Sequence, residues 1–310
     1  MFITADSSIF EKDIKLSMSG SIPSPILFIL NPVAGGKTKA DWESSINAFF
    51  RTESSGIEFY VLKGKDDQES IKHWIEKIKP GKIVAVGGDG TVSMVARLIL
   101  GTGISLGILP AGSSNGMARE LDIPLTPNEA MEVIANDKAK FADVICINDK
   151  HICMHLSDIG LNALLIKHFE EGKLRGKFGY ATKVIKTLWT KSYMTVDVGI
   201  NEKTVTLKAL MVVIANAAKY GTGAVINPGG DLYDGQFEVV VMRRLSISEL
   251  FKMWFRPQPF NPAKIKLYPA TSITITSRKK EHFQVDGEYL GKVKKVEAHI
   301  LAGQLKLIVP

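Results

Sequence analysis

The chain has 310 residues and is 45% hydrophobic, enough for about two domains with buried cores, which excludes large-scale disorder. Its formal charge of +7 and pI near 9.2 suit anionic partners such as nucleotide phosphates, acidic lipid headgroups or nucleic acid. The basic residues are scattered, as in Lys63-Gly-Lys65, Lys173-Leu-Arg175-Gly-Lys177 and Arg278-Lys-Lys280, without the focus of a nucleic-acid surface, so nucleic acid is not an expected partner.

Residues 1–24, rich in Ser and closed by Pro23 and Pro25, read as a flexible leader with none of the order of a secretory signal. Ile26–Leu30 is a short apolar run of the buried parallel type, followed by a glycine turn and a helical pattern over Lys39–Phe50. The unit repeats as strand Ile57–Leu62, helix Gln68–Ile78, strand Lys82–Val86, helix Val92–Leu100 and strand Ser105–Leu109. Strands alternating with helices predict an α/β domain with a parallel sheet over residues 25–142.

Beyond about residue 142 the texture turns β-branched: Val144–Ile147, Ile152–Leu156, Thr195–Gly199, Thr204–Ala215, Gln236–Met242, Ser272–Thr276 and Val293–Val309 read as strands. Only Ala163–Phe169, Lys177–Thr190 and Ser246–Trp254 look helical. A second, mainly antiparallel β domain over 143–297 is the simplest reading, with a last strand at about 298–310 that can return to the first domain. Cys146 and Cys153 lie in apolar stretches without zinc-ligand spacing and read as core thiols of a reducing compartment. The longest apolar stretches are too short or too broken by glycine to span a bilayer core of ~30 Å. The expected location is cytoplasmic.

Three strand-ending loops carry the chemistry. Asn31-Pro32-Val-Ala-Gly35-Gly36-Lys37 sits between a strand and a helix, where backbone N–H groups and the helix terminus favour an anion, although its spacing is not that of a P-loop. Gly87-Gly88-Asp89-Gly90-Thr91 repeats that arrangement with an acid at its centre, which could orient a ribose, bind Mg²⁺ or act through water on a phosphate. Pro110-Ala-Gly112-Ser113-Ser114-Asn115-Gly116 does so again, with Ser113 and Asn115 able to bond a base or phosphate, or simply to cap a helix. Each loop alone has a structural explanation, but three in succession point to a nucleotide.

With Asp286-Gly-Glu288 near the end, these motifs resemble in order and spacing the diacylglycerol kinase catalytic-domain family, which includes bacterial soluble lipid kinases and sphingosine kinases. The resemblance covers roughly residues 26–310. It implies a nucleotide domain similar to those of NAD kinase and phosphofructokinase, a β-sandwich that receives lipid, and ATP with Mg²⁺ in the cleft between them. On that pattern Asn31, Pro32, Gly35, Gly36 and Lys37 form one wall of the ATP site and Gly87 to Thr91 the other, with Lys63, Ser113 and Asn115 nearby. Glu288 is the implied base for the lipid hydroxyl, with Asp286 beside it and Asp89 on the nucleotide side. Without the resemblance Asp286-Gly-Glu288 reads as a hairpin turn. Asn227-Pro-Gly-Gly-Asp231-Leu-Tyr-Asp234-Gly-Gln236 resembles the family's structural Mg²⁺ segment, in which the Asp234 carboxylate and backbone oxygens at Asp231 and Gln236 hold the ion. Asp143 matches an acid at the domain junction.

The chain also departs from the family pattern. Ser93 and Met94 replace an Asn-Glu pair, Gly116 replaces an acid common in bacterial diacylglycerol kinases, Ser113 replaces Thr, and Lys63 stands where Thr is common. The expected activity is transfer of the ATP γ-phosphate to a lipid hydroxyl. The alternatives are an NAD kinase-like enzyme with a soluble substrate and a catalytically reduced nucleotide-binding regulator. A lipid acceptor implies transient peripheral membrane contact, for which Met253-Trp254-Phe255-Arg256 with Phe260 is a candidate segment unless these aromatics are core. A homodimer is compatible with this reading.

Overall fold

The computed structural model describes residues 24–34, 39–51, 56–161, 163, 193–200, 203–220, 224–244, 246, 248–249, 252 and 260–310. The first half runs β1 (Ile26–Leu30), α1 (Lys39–Phe49), β2 (Ile57–Val61), α2 (Asp67–Ile78), β3 (Lys82–Gly87), α3 (Asp89–Ile99), β4 (Ser105–Pro110), α4 (Gly116–Glu120) and α5 (Pro127–Asn136). The second half runs β5 (Ala139–Ile147), β6 (His151–Cys153), β7 (Leu156–Gly160), β8 (Met194–Ile200), β9 (Lys203–Ala209), β10 (Met211–Ala215), β11 (Lys219–Tyr220), β12 (Ala224–Val225), β13 (Phe237–Met242), β14 (Ile265–Ala270), β15 (Ser272–Val285) and β16 (Glu288–Ile308).

β1 pairs in parallel with both β2 and β3, and β3 pairs in parallel with β4. All five residues of β1 are buried, as expected for a strand covered on both faces, and they join a core with Trp42 and Ile46 of α1, Phe50 just after it and Ile71 of α2. The apolar run therefore marks a central strand.

The second half is an antiparallel β-sandwich joined to this sheet, because Leu307 of β16 lies beside Leu106 of β4 in parallel register. Period-two alternation explains how its strands are buried on both faces. Val212, Ile214, Val239 and Val241 enter one core, whereas Val213, Ala215, Val240 and Met242 enter another. β16 spans from the hairpin with β15 to the parallel half, and its register against β5 shifts between Leu301 and Leu305. Past that shift the strand goes on to pair with β4.

Several elements differ from the sequence reading. α3 begins at Asp89 instead of Val92, so Asp89, Gly90 and Thr91 form its first turn and not a free loop. The expected order contains no helix at Pro127–Asn136, yet Thr126 at the N-cap, Pro127 at the first helical position and Glu129 bonded to the Thr126 hydroxyl start α5. Thr204–Ala215 is two strands, and β14 is an addition. The helices expected at Ala163–Phe169, Lys177–Thr190 and Ser246–Trp254 fall largely outside the described residues.

Candidate active site

Parallel pairing carries the C-terminal ends of β1, β3 and β4 to one edge of the sheet, and the three motif loops leave from that edge. The amide of Asn31 joins two of them, its Nδ2 donating to the Thr91 hydroxyl at 3.2 Å while its Oδ1 accepts from the Val33 N–H at 3.2 Å. Asp89 joins the next pair, its Oδ1 accepting from the Met117 N–H at 3.0 Å. Backbone contact between the β3 and β4 loops is closer still, since a Cβ on Gly112 would lie 2.4 Å from the Gly88 Cα. Only glycines permit that approach. The N-terminal amides of α3 thus open onto the edge with Asp89 in the first turn, an arrangement that favours a bound anion beside a positively polarised helix end.

Asp286 and Gly287 have φ of 48° and 86° and form the two-residue turn between β15 and β16, so the hairpin reading of this motif holds. The Asp286 carboxylate is saturated with donors. Its Oδ2 accepts from the Met154 N–H at 2.9 Å, and its Oδ1 from the His155 N–H at 2.9 Å, the Leu156 N–H at 3.1 Å and the Cys153 thiol at 3.3 Å. Burial and the neighbouring Asp286 charge push the Cys153 thiol well above its usual range. The pinned segment delivers His155 to the edge, where a Cβ on Gly116 would be 3.1 Å from the imidazole Cε1 and 3.5 Å from Asp89 Oδ1. His155 therefore fills space beside Gly116, and its Nε2 is buried without a partner among the described residues.

Glu288 goes elsewhere. It is exposed and faces Arg97 Nη2 at 3.7 Å, near the C-terminal end of α3. Eight residues separate Asp89 from Arg97, an axial rise of about 12 Å, so the two carboxylates meet α3 at opposite ends. His151 lies in the same group, its imidazole held below the usual range by partial burial and by Lys150 and Arg97, against the opposing charge of Glu288.

A third cluster surrounds the Asp231–Gln236 loop. Asp143, buried at the start of the second half, accepts from the Gly235 N–H at 2.6 Å and from the Gly303 N–H at 2.7 Å, so one carboxylate clamps this loop to β16. Asp231 and Asp234 accept within the loop from the Tyr233 N–H at 3.0 Å and the Gln236 N–H at 2.9 Å. Burial raises the Glu238 carboxyl above its usual range, and the charges of Asp234 and Asp231 raise it further. The Asp231 and Asp234 carboxylates and the backbone oxygens of this loop are the oxygen donors that a hard divalent cation such as Mg²⁺ takes.

The family model of the diacylglycerol kinase catalytic domain matches residues 25–147, and that of the YegS C-terminal NAD kinase beta sandwich-like domain matches 157–309. The chain is a diacylglycerol kinase catalytic domain followed by a YegS-type C-terminal sandwich domain. It is 28% identical over 303 residues to the Synechocystis protein sll0036, which is uncharacterized, covering 91% of this chain and 69% of that one. It is also 28% identical over 239 residues to a Yersinia enterocolitica protein named "Probable lipid kinase YegS-like", covering 73% of this chain and 78% of that one. A crystal structure titled as a diacylglycerol kinase from Bacillus anthracis shares the fold, with a TM-score of 0.75 at 20% identity over 93% of this chain and 97% of that one.

Against the family pattern, Asn31, Pro32, Gly87 to Thr91, Ser113 and Asn115 gather at the sheet edge, whereas Gly35, Gly36 and Lys37 lie outside the described residues. Asn115 is not free to contact a base: its Oδ1 accepts from the Gly112 N–H at 2.8 Å and its Nδ2 donates to the Gly112 carbonyl at 2.9 Å. Lys63 is exposed after β2, where its N–H donates to the buried Asp67 carboxylate at 2.9 Å. Phe260 is core, 8% exposed, which removes it from the membrane-contact segment, and Met253 to Arg256 lie outside the described residues. No helix among the described residues is long and apolar enough to cross a membrane.

The sequence reading missed His155, Arg97 and Asn216. Asn216 Nδ2 donates to the carbonyls of Asp143 at 2.8 Å and Met154 at 2.9 Å, tying the clamped loop to the pinned one. Only its polarity at the end of an apolar strand marked it in the sequence.

Proposed function

We propose that this protein is an ATP-dependent lipid kinase that transfers the γ-phosphate to a lipid hydroxyl, on diacylglycerol, a sphingoid base or a related acceptor. The observation that carries the reading is the convergence of three strand-ending loops and the α3 N-terminus at one sheet edge, overlooked by His155 from the second half. Gly35 to Lys37 and Gly87 to Thr91 would flank the triphosphate, with Asp89 on the nucleotide side. Asp286 acts as a positioning residue, because its hydrogen bonds are spent on the 153–156 segment. Glu288 is the proton acceptor for the lipid hydroxyl, and Arg97 keeps its carboxylate paired until the acceptor arrives. Catalysis would then come mainly from positioning and charge neutralisation.

Mg²⁺ bound by Asp234 with backbone oxygens at Asp231 and Gln236 would brace the loop that Asp143 clamps, and Mg²⁺ carried with ATP supplies phosphate charge neutralisation. Peripheral contact with a bilayer follows from the acceptor. The test is radiolabelled phosphate transfer from ATP to a lipid extract by the wild type, Glu288→Gln and Asp89→Asn, with folding checked by circular dichroism. Loss in both folded variants is expected, and undiminished transfer by both refutes the assignment. A lipid-free reaction with NAD distinguishes a soluble-substrate kinase.

A further inference from the structure

On the face of β5 and β16 away from the sandwich core, Cys146, Asp149 and His299 bring a sulfur, a carboxylate oxygen and an imidazole nitrogen within 4.8 Å of one another. The register explains two of the three. Cys146 stands directly opposite His299, so both side chains share one face, while Ile145, Ile147 and Ala298 point into the core on the other. The third comes from the turn between β5 and β6, where Asn148 and Asp149 both have φ of 51°. That turn is docked on β16 by a reciprocal pair: the Asn148 N–H donates to the Glu297 carbonyl at 2.8 Å, and Asn148 Oδ1 accepts from the Glu297 N–H at 2.8 Å. Docking leaves Asp149 Oδ1 3.9 Å from His299 Nδ1.

We propose that Cys146, Asp149 and His299 form a binding site for a borderline-soft divalent cation of the zinc class, distinct from the Asp231–Gln236 loop. One thiolate, one imidazole and one carboxylate are the donor types such ions select, whereas Mg²⁺ prefers oxygen alone. A tetrahedral ion with metal–ligand distances of about 2.0–2.3 Å separates its ligands by roughly 3.3–3.7 Å, so the three side chains close on it by small rotamer adjustments. His299 and Asp149 side chains are 46% and 90% exposed, which gives the ion a path in and leaves room for a water as fourth ligand. As the sulfur–metal bond forms, the thiol proton passes to solvent and no electron is exchanged.

The location sets the consequence. Cys146 falls in the part matched by the kinase-domain model, His299 in the part matched by the sandwich model, and Asp149 between them. A bound ion would therefore brace the β5–β6 turn against β16, linking the end of the first matched segment to the last strand of the second.

The experiment uses the full chain, stripped with a chelator and titrated with Co²⁺, whose thiolate charge-transfer absorption reports sulfur ligation. Cys153, the other of the two cysteines, is buried and its thiol donates to Asp286, so the band reads Cys146. One ion per chain is expected, displaced by Zn²⁺, with the band abolished by Cys146→Ser and retained in Asp234→Asn. His299→Gln should weaken the apparent affinity by about tenfold or more, since even outer partners of metal ligands cost that much. No band at saturating Co²⁺ overturns the proposal, and so does a band whose affinity neither His299→Gln nor Asp149→Asn changes. Both of those variants sit at exposed positions, which keeps the test decisive if Cys146→Ser misfolds.

Discussion

Replacing Gly112 with alanine tests whether close approach of the β3 and β4 loops builds the nucleotide site. The added Cβ would stand 2.4 Å from the Gly88 Cα, 2.9 Å from Asn115 Oδ1 and 3.1 Å from the Gly88 nitrogen, where ordinary contact begins at 3.4 Å. Two of those three atoms are backbone, so rotamer changes cannot relieve the clash and the loops must separate by about 1 Å. Overpacking of this kind costs about 1–3 kcal/mol, and each kcal/mol lowers Tm by about 2–4 °C in a chain of this size class. A displacement of that size at a phosphate site costs on the order of 10²-fold in transfer rate. Gly90→Ala is the control, because its Cβ meets nothing within 4 Å and the residue lies in α3. It should keep or raise stability, by about 0.5–1 kcal/mol, while weakening ATP binding through a methyl at the phosphate wall. Thermal melts and fluorescent-nucleotide titrations of both variants read the result. A Gly112→Ala protein with wild-type melting and affinity, or equal destabilisation by both alanines, refutes the reasoning.

Asp286→Asn should cost about 1–3 kcal/mol and speed hydrogen exchange at residues 154–156, because one of the two acceptor oxygens becomes a donor facing N–H groups; lost transfer with unchanged stability would make Asp286 a proton acceptor instead. For Asp67, burial works to raise the carboxyl, but the Lys63 and Gly64 N–H groups and the Tyr60 hydroxyl outweigh it and hold it below the usual range. A depressed folded-state pKa stabilises above the unfolded value of about 3.9 and is lost as pH falls through the folded one, so denaturant melts should show the stability gap between wild type and Asp67→Asn shrinking below about pH 4. A gap constant with pH would show that the charge is not involved. Chelation should abolish transfer and Asp234→Asn should raise the Mg²⁺ requirement by about tenfold, read as activity against free Mg²⁺; an unchanged requirement removes Asp234 from the ion.

The order of elements from β1 to β4 follows from local pattern alone, whereas the helix at Pro127–Asn136 was not read from it. Ile26–Leu30 reads as a doubly covered strand, and glycines at the ends of successive strands mark where loops approach closely, because hydrophobic periodicity and glycine's steric freedom act over a few residues. Asp286-Gly287 was equally legible as a two-residue turn. The partners of these loops could not be read from the sequence. The bonds from Asp286 to residues 153–156, from Asp143 to Gly235 and Gly303, and from Glu288 to Arg97 join segments roughly one hundred or more positions apart, and no short-range pattern encodes them. Tertiary packing decided that Asp286 is an anchor and that Glu288 reaches the far end of α3. It also decided that His155 occupies the space beside Gly116, since a side chain's neighbours depend on how the sheet closes and not on its own residue type.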